Sequence, residues 1–200
     1  MMKKDEKREQ ASVEYPSLEQ MEEEIARLKY KRSYGSALRG TLYSLAVVAA
    51  IAILVATLWM PVLQITGASM EPTLVDGQFV VALKNDDFVP GDITAFYYNN
   101  KILIKRVVAG AGDWVDIDAD GNVFINGVLL EEPYLTEKSL GECNIELPYQ
   151  VPDGRVFVMG DDRAVSLDSR TTAVGCISKE QVLGQVIFRV WPLAELGSMR

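Results

Sequence analysis

From Gly40 to Leu63 the chain carries no charged side chain, and most positions are Leu, Val, Ile or Ala. A run of about 20 such residues spans the hydrocarbon core of a bilayer as a helix, the form in which a single segment satisfies its own backbone polar groups. One transmembrane helix is therefore expected over residues 40–63. It divides the chain into a segment of residues 1–39 before it and a domain of residues 64–200 after it. Lys29, Lys31, Arg32 and Arg39 precede the span, whereas Glu71 and Asp76 are the first charges beyond it. By the positive-inside rule the N-terminus is cytoplasmic and the larger part extracytoplasmic. Tyr43 and Trp59 sit near the two ends, as interfacial aromatics do. A cleaved signal peptide has a shorter apolar core nearer the start, so the span reads as a retained anchor in the cell membrane.

The two sides differ in charge. Residues 1–40 hold nine basic and eight acidic side chains, and residues 41–200 hold eleven and twenty. The acidic C-terminal part has no basic stripe with interleaved aromatics, so nucleic acid is not an expected partner. Residues 1–16 are polar and charged, a composition that does not fold alone. From Ser17 the pattern changes: Leu18, Met21, Ile25 and Leu28 recur at helical spacing, and Ser17 with Gln20 offers a capping box. An amphipathic helix over about 17–32 is expected, short for an independent coiled coil.

After the span the pattern is that of strands and turns. Residues 93–98 and 101–109 flank Asn99-Asn100, and residues 123–125 and 128–130 flank Asn126-Gly127; both are hairpin signals. Residues 79–83, 156–159 and 185–191 read as further strands, and residues 178–183 as one short helical turn. The expected fold class is mainly β: an antiparallel sheet domain preceded by the amphipathic and transmembrane helices.

The chain contains no histidine. A Ser-His-Asp triad, a Cys-His pair and His-ligated metal sites are thereby excluded. A serine nucleophile would need a lysine, carboxylate or amine as its base. Ser69 lies in Gly67-Ala68-Ser69-Met70-Glu71-Pro72-Thr73-Leu74, where Gly67 permits unusual backbone angles and Pro72 stiffens the turn. The backbone N–H groups of such a turn can face an oxyanion. A serine in a plain Pro-containing loop is the alternative. Of the five lysines after the span, Lys105 alone is embedded in an apolar stretch, residues 102–108. At strand period Leu103, Lys105 and Val107 share a face, a desolvating site that favours a neutral amine. Spacing equally allows a lysine whose stem packs while its head reaches water.

Residues 67–74, Pro90-Gly91-Asp92-Ile93, Lys105-Arg106-Val107-Val108 closing at Gly112-Asp113, and residues 160–170 resemble, in order and spacing, the four boxes of bacterial type I signal peptidases. With the span, the resemblance covers about residues 40–192. It implies a membrane-anchored serine endopeptidase that removes signal peptides from exported preproteins, with Ser69 as nucleophile and Lys105 as general base. It further implies that Ser166 orients the lysine amine and that Asp168 and Arg170 brace the site. Implied partners are secretory preproteins with small residues before the cleavage point, membrane lipid and the neighbouring export translocon; no cofactor or metal is implied. The fourth box departs from the usual Gly-Asp-Asn-Arg at Asp162, and Ala164 and Val165 are apolar where some members are polar. Gly67 stands where some members carry a hydroxyl that donates to the oxyanion, so the hole would rest on backbone N–H groups such as that of Ser69. Self-cleaving repressors with a Ser/Lys dyad and a non-enzymatic anchored β domain are the competing readings. The former carry a DNA-binding domain where this chain has an apolar span, and the latter predicts loss of Ser69 or Lys105. Asp116, Asp118 and Asp120 imitate the start of a calcium loop, but Gly127 stands where its glutamate would be, and a hairpin turn is expected instead. Cys143 and Cys176 are both placed outside the membrane, where a bridge could form, and spacing alone does not bring them together.

Overall fold

The computed structural model describes residues 17–85 and 87–199. The charged segment before Ser17 lies outside them. Helix α1 (Leu18–Trp59) opens at a capping box, in which the Gln20 N–H donates to Ser17 Oγ at 3.3 Å and the Ser17 N–H to Gln20 Oε1 at 3.0 Å. The separate helix expected to end near residue 32 instead runs on without a break into the apolar segment. Residues Ala37–Trp59 form a 23-residue helical stretch with a mean hydropathy of 2.3, none of it buried against protein. At 1.5 Å per residue this is about 35 Å, enough to cross a bilayer core. The helix ends before Pro61, which cannot donate into a further turn. Val62 and Leu63, read from sequence as the end of the span, lie in a strand.

Compactness divides the chain into residues up to Ala52 and residues from Ile53 onward. Among the described residues the second unit contains twelve strands. The first six are β1 (Val62–Gln64), β2 (Phe79–Leu83), β3 (Ile93–Tyr98), β4 (Lys101–Ala109), β5 (Trp114–Ile117) and β6 (Val123–Ile125). The rest are β7 (Val128–Leu129), β8 (Tyr149–Gln150), β9 (Arg155–Met159), β10 (Ile177–Ser178), β11 (Val182–Trp191) and β12 (Gly197–Ser198). A large sheet has the order β1-β2-β11-β3-β4-β9-β10, with β12 paired to β11, and a smaller one the order β7-β6-β5-β8. Every pairing is antiparallel. The expected antiparallel β class is the class observed.

Strand β4 carries Lys105. Its alternate residues serve two cores: Ile104 packs with Val80, Ile93 and Val186, while Leu103 and Val107 pack with Phe96, Val158 and Ile177. A third cluster, including Val115, Val123 and Phe157, joins the two sheets. Lys105 pairs with Thr94 on β3, and Arg106 with Met159 on β9. The turn over residues 67–74 is anchored on the first of these cores by Met70 and Leu74, both fully buried. Each such side chain contributes roughly 1.5–3 kcal/mol by leaving water.

Candidate active site

Ser69 sits at the start of the turn that Met70 and Leu74 pin down, and is itself only partly covered. Gly67 adopts φ +88°, a conformation that side-chain-bearing residues avoid, and its N–H donates to Asp76 Oδ1 at 2.8 Å. The turn is thus tied at both ends while Ser69 stays partly accessible. Lys105 reaches it from β4: Nζ lies 2.6 Å from Ser69 Oγ. Lys105 is 2 % exposed. Burial lowers its pKa from 10.5 to about 8, with Arg170 pushing the same way and the Asp168 and Asp161 carboxylates opposing. Near neutrality a useful fraction of such an amine is unprotonated and can take a proton, which an ordinary surface lysine cannot do.

The fourth box wraps behind this pair. The Asp162 N–H donates to the Ser69 carbonyl at 3.2 Å. Gly160 approaches so closely that a Cβ on it would stand 2.4 Å from the Ser69 carbonyl oxygen and 2.2 Å from Ser166 Oγ. Asp168 and Arg170 are fully buried and joined at two points, Nε to Oδ1 at 2.8 Å and Nη2 to Oδ2 at 2.9 Å. Asp168 also accepts the Gly160 N–H at 2.9 Å, and Arg170 donates to the Leu140 carbonyl at 2.7 Å. Ser166 is buried beside Gly160, but its hydroxyl has no hydrogen-bond partner among the described residues, the Lys105 amine included. Ala164 and Val165 are exposed.

Around the pair lie further charged and aromatic neighbours, of which sequence reasoning passed over Glu132 and Tyr134. Arg106 holds Asp161 by two hydrogen bonds, Nε to Oδ1 at 2.9 Å and Nη2 to Oδ2 at 2.6 Å, and Thr73 donates to the same carboxylate. Glu132 pairs with Arg163 inside the protein, and Tyr134 lies under Arg106. Glu132 and Tyr134 belong to no motif, and only the presence of a glutamate after the apolar residues 128–130 hints at burial.

In front of the Ser69–Lys105 pair a groove of about 100 Å³ is lined by residues 64–67 and 102–105 together with Ser69 and Met70. The Ser69 N–H has no acceptor among the described residues and is free to meet a developing oxyanion. Both cysteines are free thiols, and burial pushes that of Cys176 up to about 11, which leaves no ready thiolate there.

The chain is similar to known proteins. A family model described as signal peptidase, peptidase S26, matches residues 38–191. Signal peptidase IB of Staphylococcus aureus (strain COL) is 36% identical over 152 residues, 66% of this chain and 78% of that protein. Thylakoidal processing peptidase 1, chloroplastic, of Arabidopsis thaliana is 35% identical over 150 residues. That match takes in 66% of this chain and 42% of the plant protein, so the chain spans less than half of that relative's length. The crystal structure of a signal peptidase I from Enterococcus faecalis V583 aligns with a TM-score of 0.41 at 28% identity, covering 50% of this chain and 97% of that one.

Proposed function

This chain belongs to the signal peptidase family, peptidase S26, and from that premise we propose that it is a membrane-anchored serine endopeptidase that cleaves N-terminal signal peptides from exported preproteins with a Ser69/Lys105 dyad. The observation that carries the reading is the 2.6 Å contact between Ser69 Oγ and the buried Lys105 Nζ. Neutral Lys105 takes the Ser69 proton as Oγ attacks the scissile carbonyl carbon. The resulting oxyanion meets the Ser69 N–H, and the ammonium then returns the proton to the departing amine. Water, deprotonated by the same amine, attacks the acyl-serine ester and releases the signal peptide with a new carboxylate. Asp168 and Arg170 act on Lys105 through their charges, Ser166 packs against Gly160 beside the Ser69 carbonyl, and Gly67 lets the turn present its N–H groups.

The groove suits an extended peptide added beside residues 64–67 and 102–105 as a further strand, with small side chains before the cut because its volume is only about 100 Å³. The helix over Ala37–Trp59 supports a single-pass anchor, with Ser69 ten residues beyond its end. The basic cluster before it supports a cytoplasmic N-terminus and a peptidase domain outside, within reach of the translocon from which preproteins emerge. Protease added to intact protoplasts should digest the large C-terminal part; digestion of only the first 40 residues would invert the topology.

The test of the activity is cleavage of a model preprotein by the detergent-solubilised chain, with product mass giving the cut site. Cleavage after a small residue at the signal-peptide boundary, lost in Ser69→Ala, is the expected result. Cleavage that survives Ser69→Ala in a preparation free of other peptidases would refute the assignment.

A further inference from the structure

One buried charge near the dyad lies outside all four boxes. Glu132 is in the connection between β7 and β8, yet its side chain is wholly buried. It takes both terminal nitrogens of Arg163, Nη2 on Oε1 and Nη1 on Oε2 at 3.4 Å. The remaining nitrogen, Nε, donates to the Gly160 carbonyl at 3.0 Å. Asp168 holds the Gly160 N–H from the other side at 2.9 Å. Gly160 is therefore gripped at both its polar groups, and it is the residue against which the Ser69 carbonyl and the Ser166 hydroxyl are packed. Two residues further on, the Tyr134 ring lies 4.0 Å from the Arg106 guanidinium carbon, and its hydroxyl donates to Glu132 Oε1 at 3.1 Å. Burial, with the Glu132 carboxylate beside it, pushes the Tyr134 phenol up, so it remains a donor.

We propose that Glu132 is a positioning residue for the Ser69/Lys105 reaction, acting through Arg163 on Gly160, with Tyr134 as its brace. The inference rests on the proteolytic reading above. Its physical basis is that an arginine binds a carboxylate fork in one fixed geometry, so the orientation of Nε, and with it the Gly160 carbonyl, is set by Glu132. Without that carboxylate Arg163 is a buried cation that must turn elsewhere. Gly160 then shifts, and the nucleophile and Ser166 shift with it. Displacements well under 1 Å matter at a reacting centre. Stability alone does not account for the arrangement, because a buried ion pair is often replaced by apolar residues at no loss.

The last point supplies the test. Parent, Glu132→Gln, Glu132→Asp and the double variant Glu132→Leu/Arg163→Met are compared as full-length, detergent-solubilised chains. Turnover of a model preprotein is expressed per folded molecule, counted by near-ultraviolet circular dichroism, and Tm is measured alongside. Glu132→Gln is expected to lower kcat 10- to 100-fold with KM within about twofold, and Glu132→Asp to recover part of it. The double variant is expected to regain Tm while kcat stays low, since the Gly160 carbonyl still lacks its donor. Recovery of kcat together with Tm in the double variant would reduce the pair to a structural one and overturn the proposal. Where Glu132→Gln does not fold, the double variant decides alone, and if it too fails, Tyr134→Phe does: a threefold or greater fall in kcat at unchanged KM supports the proposal, and parental kcat overturns it. A Ser69→Ala control separates the two claims. Cleavage by that control defeats the Ser69/Lys105 assignment on which the proposal rests, whereas an inactive control with parental turnover in the Glu132 variants defeats only the positioning role.

Discussion

Asp168 and Arg170 meet fork to fork with neither side chain exposed, 2.8 and 2.9 Å apart at their two contacts. Asp168 also raises the pKa of Lys105 while Arg170 lowers it, so the pair leaves burial as the main influence on the amine. Asp168→Asn removes the raising partner and strands the lowering one. Two results are expected. Folding should lose about 3–5 kcal/mol, the cost of breaking a buried pair from one side. In the enzyme that still folds, the acid limb of kcat/KM should move to lower pH than in the parent. A limb that stays in place would mean that Asp168 does not act on Lys105.

Gly160 gives a second prediction. A methyl group there would meet the Ser69 carbonyl oxygen at 2.4 Å and Ser166 Oγ at 2.2 Å, distances that real Cβ contacts do not reach. Gly160→Ala must displace the Ser69 backbone or the Ser166 side chain, so on the proposed mechanism kcat should fall at least about 100-fold with the protein still folded. Initial rates within threefold of the parent would show that the close packing is not needed for turnover.

A third concerns stability against pH. The folded protein releases the Lys105 proton near 8, the unfolded chain near 10.5. Between these values the unfolded chain binds more protons, so this group's contribution makes stability rise with pH across that window. Below about 8 the buried ammonium costs the folded state something on the order of 3 kcal/mol. Lys105→Met should therefore raise Tm by a few degrees at pH 7, with a gain that shrinks towards pH 10.5. A lower Tm at pH 7 with an unchanged pH dependence would contradict the depressed pKa.

Where backbone chemistry is local, the fold was legible in the sequence. Asn99-Asn100 and Asn126-Gly127 were readable as hairpin loops because both central residues must take positive φ, and they do, at 44° and 63° and at 52° and 82°. Elsewhere the determinants were not local. Val62 and Leu63 are as apolar as the helix before them, and hydrophobicity alone does not distinguish lipid from a neighbouring strand. Strand β11 begins at Val182, earlier than its pattern suggests, because Gly184 interrupts it. A Cβ at Gly184 would lie 2.5 Å from the Leu83 carbonyl oxygen, a close backbone approach that leaves no trace in the hydrophobic alternation. The same holds at the site. Ser69 and Lys105 stand out, one in a stiff turn and the other in an apolar strand, and their side chains are in contact. Glu132 does not stand out, since its partner Arg163 is 31 residues away and only the folded chain joins them.

The central claim is that Lys105 works as an uncharged base. Lys105→Arg tests it most directly, because guanidinium keeps the positive charge and most of the reach but does not give up its proton in the working range. The measurement is the rate of signal-peptide release from a model preprotein by this variant from pH 6 to 10, beside the parent. The parent should show a rate that rises with pH through about 8, and Lys105→Arg should release nothing at any pH. Release by Lys105→Arg at a rate near the parent's would make Lys105 a structural cation and contradict the mechanism.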